Sequence, residues 1–184
     1  MSATDGTDGA GTDGALVTTR IHAGPDALVV EVAGIEHRLD VGTDRVASEL
    51  HHDPPWAEEL TNAIGAVIDH LDDVVRVHPF VEGAPTWIAG PLLPVLADVE
   101  LGTTAALPVT LPRDAVEEVF RTLATEPAAD RRHNPGLPAA HVESIGAVSC
   151  VAVGVMRRLR LDDLTIVGAA LGSVTDAGHQ EAAS

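Results

Sequence analysis

The sequence predicts an α/β domain, a mixed sheet flanked by helices, and three observations lead there. Gly24-Pro25-Asp26 separates two short segments rich in β-branched residues, 15–21 and 27–32, which is the pattern of a β-hairpin. The apolar period then changes from two to about 3.6 residues, from an alternating segment at 35–41 to a long stripe at 55–75. Extended and helical segments alternate after that, as in a sheet covered by helices.

The elements follow in order. In 35–41, Ile35, His37, Leu39 and Val41 fall on one side, and Gly42 ends the strand. A short helix is expected at 44–50. Asp53 is placed to cap the next helix, 55–75, with prolines suited to its first turn. Trp56, Leu60, Ile64, Val67, Ile68, Leu71 and Val75 form its inward stripe. A strand at 86–89 ends at Gly90, and a short helix at 92–99 keeps Pro94 in its first turn. Residues 106–111 read as a strand or an extended link. Helix 113–124 turns Val116, Val119, Phe120 and Leu123 inward. After the Asn134–Pro138 loop, 140–159 is helical and apolar on nearly every side in its middle, the mark of a central helix. Arg157, Arg158 and Arg160 complement its C-terminal dipole. A strand at 164–167 and a helical turn at 169–174 close the domain. Residues 1–14, a run of Gly, Thr and Asp, have almost nothing to bury and are expected to be a disordered acidic tail. The expected organisation is therefore one domain over 15–175 and a flexible tail over 176–184.

Charge narrows the function. The 184 residues carry 28 acids against 11 bases, all of them Arg, for a net charge of −17. Such a field repels nucleic acid and anionic membrane surfaces, so neither is an expected partner. It also repels polyphosphate and nucleotides unless a basic pocket or a cation intervenes. An acid-rich, Lys-free surface suits a salt-rich cytoplasm, although a high-GC genome at ordinary salt also favours Arg over Lys. Cys150 is the only cysteine and sits in an apolar run, which fits a buried thiol in a reducing cytoplasm. The start shows no signal-peptide pattern, and the apolar stretch 145–156 is too short to span a bilayer.

Three segments carry a resemblance. Asn134-Pro135-Gly136-Leu137, then His141-Val142-Glu143-Ser144-Ile145-Gly146-Ala147, then Met156-Arg157-Arg158-Leu159-Arg160-Leu161-Asp162-Asp163-Leu164-Thr165, resemble the exopolyphosphatase/pppGpp phosphatase (Ppx/GppA) family. Its members carry a segment like PGL-x-x-x-RAD-x-I-x-AG, a helix, and M-x-RLGLDELTV. The likeness extends back through Val41-Gly42-Thr43-Asp44-Arg45-Val46 and His52-Asp53-Pro54-Pro55 to the strands at 86–89 and 15–30, covering 15–174. It implies a ribonuclease-H-like half of the actin-like, sugar-kinase-like ATPase fold, and it reaches only the family's second half. The family's first phosphate loop and catalytic glutamate belong to the other half.

Where the family places a second phosphate loop, DIGGGS, the resemblance aligns Arg20 with its metal-holding Asp and His22-Ala23-Gly24 with its glycines, followed by Pro25-Asp26. The family's GGT becomes Ala89-Gly90-Pro91, and the Arg and Asp of RAD become His141 and Glu143. Charge is reversed at the metal position, and prolines remove N–H donors. Arg20, His22, Gly24, Ala89 and Gly90 are thus candidates for vestigial phosphate loops, with no catalytic or metal-binding residue expected. Magnesium is implied only if phosphatase activity is retained.

Other polar groups read more simply. His51-His52-Asp53 lacks a third ligand spaced for zinc and reads as a loop with Asp53 as helix cap. Arg131-Arg132-His133 reads as a solvated basic loop, and Asp162-Asp163 as a solvated turn. His133 and His141 flank a Pro-Gly loop with no helical spacing between them, and Ser144 and Ser149 lack a nucleophile elbow. The expected function is a non-catalytic accessory or regulatory lobe that acts by protein association, as a homodimer or with a separate first-half protein. The faces expected to mediate it are 20–26 and 89–94. Two alternatives stay open: a lobe of a polyphosphate or pppGpp phosphohydrolase assembled in trans, and an anion- or nucleotide-binding module without turnover.

Overall fold

The 24–27 turn folds β1 (Thr19–Ala23) back onto β2 (Leu28–Val32), and the Gly24 N–H closes it on the Ala27 carbonyl at 3.0 Å. The structure is a computed structural model that describes residues 18–168. A second tight turn follows, with φ of 52° at Ala33 and 79° at Gly34. Positive φ at both central residues is what a type I′ hairpin needs, and Gly34 supplies one at no steric cost. It delivers β3 (Ile35–Leu39) antiparallel to β2.

The chain then forms α1 (Thr43–Ala47), α2 (Ala57–Val77), a 3-10 turn (Pro79–Val81) and β4 (Thr86–Ala89). Next come α3 (Leu93–Leu101), β5 (Val109–Pro112), α4 (Arg113–Thr125) and α5 (Ala128–Arg131). A 3-10 turn (Ala139–His141), α6 (Ile145–Arg158) and β6 (Asp163–Ile166) complete it. The six strands form one mixed sheet in the order β3-β2-β1-β4-β6-β5. β1, β4 and β6 run parallel, and the other pairs are antiparallel. This is the mixed sheet with flanking helices that the sequence predicts. Among the described residues, no helix is long and apolar enough to cross a membrane.

Alternation decides which face of the sheet is covered. Ile21, Ala23, Leu28, Val30, Val32 and Ile88 are buried under helices, while Arg20, His22, Glu31 and Trp87 on the other face stay partly exposed. The core sits around α6, which touches α1, α2, α3 and α4, and every residue from Ile145 to Met156 is buried. The central helix is as expected, but it starts later than residue 140. The Ala139–His141 3-10 turn and the turn at 142–144 occupy the segment in between.

Several expectations are corrected. Trp56 is the N-cap of α2 and is 60% exposed, so it does not belong to the inward stripe. Asp53 does not cap α2. Its carboxylate accepts the Ala128 N–H at 2.8 and 3.0 Å, at the start of α5, and Glu59 takes over the first turn of α2 by accepting the Trp56 N–H at 3.0 Å. Residues 106–108 lie outside β5, which begins at Val109. The 169–174 turn, residues 15–17 and both tails lie outside the described residues.

Candidate functional site

The parallel pairing of β1 with β4 puts His22 beside Ala89, so the two candidate loops leave the sheet at the same end. Gly90 presses directly on β1, because a Cβ there would lie 2.5 Å from the Ala23 carbonyl oxygen. Behind the loops is a pocket of about 200 Å³. Ala23 and Pro25 line it from the first loop, Pro91, Leu92 and Leu93 from the second, Thr43 and Asp44 from the start of α1, and Val148 and Val151 from α6. Residues far apart in sequence converge here, and composition alone gave no sign that α1 and α6 would take part.

A phosphate loop works by aiming spare backbone N–H groups at oxygens. Here several of the donors are committed within the chain, while the Asp26, Gly90 and Leu92 N–H groups meet no acceptor among the described residues. The Gly24 N–H bonds Ala27, the Thr43 N–H bonds the Gly24 carbonyl at 3.0 Å, and the Asp44 N–H bonds the Pro25 carbonyl at 2.9 Å. Pro25 and Pro91 have no N–H to offer. The remaining glycines have another role, since a Cβ on Gly42 would lie 2.1 Å from the Pro25 oxygen. Gly42 and Gly90 therefore let chain pack on chain. Among the described lining residues Asp44 is the only charged one, and it repels an anion.

The individual candidates separate. Gly24, Ala89 and Gly90 meet at the strand ends. Arg20 lies inside β1 on the open sheet face, where its guanidinium pairs with Glu31 at 3.3 Å and lies 6.0 Å from the Trp87 ring centroid. His22 is on that same face. The residues do not fit a magnesium ion: the position aligned with the metal's carboxylate is a guanidinium already engaged by Glu31.

The polar clusters outside this end are structural. His52 stacks on Trp56 with centroids 3.5 Å apart, and its Nδ1 lies 2.6 Å from Glu59 Oε1. Arg131 is corrected from a solvated loop to a buried residue, 5% exposed. It donates to Asp53 at 3.0 Å and to the Leu123 and Glu126 carbonyls, and so closes α4 and α5 onto the 51–55 loop. Cys150 is fully buried, and burial pushes its thiol up to about 12 against a smaller lowering by Arg157, so it is inert as a nucleophile.

No family model matches the chain, and no curated protein matches it. Solved structures do. The Ppx/GppA phosphatase of Aquifex aeolicus, in its type II variant, superposes with a TM-score of 0.71 at 15% identity, over 83% of this chain and 53% of that one. An exopolyphosphatase-like protein gives 0.72 at 15% identity, over 83% and 54%. An exopolyphosphatase from Cytophaga hutchinsonii gives 0.66 at 14% identity, over 83% and 53%. The chain thus has the architecture of the Ppx/GppA structures, the actin-like ATPase fold, and spans about half the length of the solved structures it matches.

Proposed function

We propose that the chain is a non-catalytic Ppx/GppA-like lobe that acts through protein association, using the strand-end face where β1 meets β4. The observation that carries this reading is the lining of the recess, whose only charged residue is the Asp44 carboxylate; the N–H groups of Gly24, Thr43 and Asp44 are bonded within the chain, and Pro25 and Pro91 supply none. What remains is a mostly apolar recess with one carboxylate at its side. Such a recess receives an apolar side chain from another protein more readily than it receives a phosphate. Titration calorimetry with tripolyphosphate and magnesium is the test. No heat of binding is expected up to millimolar ligand, and saturable binding lost in Gly90→Ala would overturn the proposal.

A second reading draws support from the half-length match: a phosphohydrolase lobe completed in trans by a first-half protein. It requires this end to present a usable phosphate loop once the partner docks, so the same titration in the presence of such a protein separates the two.

A further inference from the structure

We propose that two copies of the chain join edge to edge through β3, antiparallel about His37, to make one continuous sheet. This rests on the free edge of the sheet and is independent of the reading above. β3 is the terminal strand of the sheet order, five residues long, and carries no proline or bulge. The opposite edge, β5, ends in Pro112 and follows Pro108, residues that blunt an edge against pairing.

The hairpin decides which backbone groups face outward. A two-residue type I′ turn makes Val32 and Ile35 a hydrogen-bonded pair, so Ile35, His37 and Leu39 direct their N–H and C=O toward β2. Glu36 and Arg38 direct theirs away from the sheet. Among the described residues, no backbone partner meets the Glu36 or Arg38 N–H on that side.

The side chains then form a palindrome. With a two-fold axis at His37, Glu36 faces Arg38 of the second copy, and Arg38 faces its Glu36. These are the residues whose outward backbone groups pair, and the His37 residues meet as the close, non-hydrogen-bonded pair between them. On the open sheet face each Glu36 gains an opposite charge. Alone, it lies across from Glu31, a like-charge arrangement, while Arg20 engages Glu31. Arg38 forms no ion pair among the described residues, in a chain where acids far outnumber bases. On the helix-side face Ile35, 52% exposed, comes beside Leu39 of the second copy. Val77 and Phe80, 63% and 50% exposed, flank His78, whose Nε2 lies 3.0 Å from His37 Nε2, so the same corner carries apolar surface for the joint to cover.

Sedimentation equilibrium of the full chain tests this in about 0.5 M KCl, where a screening length of roughly 4 Å damps long-range repulsion between acidic copies but spares contacts. A dimer is expected. Glu36→Arg and Arg38→Glu each place like charges opposite one another and should weaken it by about tenfold. The double reversal restores complementarity and should return close to the parent affinity. Glu36→Pro removes an outward N–H without touching the β2 ladder and should leave a folded monomer by circular dichroism. A parent chain that stays monomeric, a dimer indifferent to the single reversals or to Glu36→Pro, or a double reversal no better than the singles overturns the proposal.

Discussion

Glu59 ties the 51–56 loop to the start of α2. Its carboxylate accepts the N–H groups of His51 at 3.2 Å, His52 at 3.3 Å and Trp56 at 3.0 Å, and it meets the His52 ring. Burial pushes its pKa up, but the His52 side chain and the three N–H donors outweigh that and hold it at about 2, below its usual 4.5. A carboxylate whose pKa falls on folding contributes stability that is present above its unfolded value and lost as pH falls through its folded one. The contribution therefore fades between about pH 4.5 and about pH 2. Glu59→Gln should be less stable than the parent in urea at pH 7, and the gap should close near pH 2; a gap of equal size at both would contradict this. Nothing of this cluster beyond a polar loop was legible in the sequence, because a side chain's choice of partner depends on how the chain returns. Asp53 shows the same limit. It has the chemistry of a helix cap and does cap a helix, but its partners Ala128 and Arg131 lie 75 and 78 residues away.

At the scale of elements, α6 was legible because a helix apolar on all sides has only one stable place, inside. Its start was not, because 3-10 and α geometry share similar residue preferences in the 139–144 stretch. The packing of α6 on α2 depends on Gly154, where a Cβ would lie 2.8 Å from Val67 Cβ. Gly154→Ala overpacks the contact at about 1–3 kcal/mol. Better helix propensity returns at most about 1 kcal/mol. Its urea midpoint should therefore fall. Gly65→Ala in α2 is the control, since a Cβ there meets nothing within 4 Å, and its midpoint should rise. A Gly154→Ala chain as stable as Gly65→Ala would show that the two helices are not in close contact. The strand-end loops were readable in part. Pro25 and Pro91 announced lost donors, but the use of Gly42 and Gly90 for chain packing, and the arrival of Asp44 and Val151 in the pocket, became visible only in three dimensions.

For the whole molecule, the order of strands and helices along the chain and the mixed character of the sheet were legible from period and turn chemistry, but the order of strands within the sheet became visible only in the structure. Charge acts at this scale too. A net charge of −17 makes the folded chain repel itself, and raising KCl from about 0.1 M to about 1 M shortens the screening length from roughly 10 Å to roughly 3 Å. The thermal midpoint should rise over that range, and an unchanged midpoint would remove the case for adaptation to salt. The strand-end face is proposed above to take an apolar side chain of another protein rather than a phosphate. Phosphate release by the purified chain from polyphosphate, pppGpp and ATP with magnesium tests this most directly. No release above the buffer rate is expected. Turnover that survives repeated purification and disappears in Gly90→Ala or Asp44→Ala would contradict it.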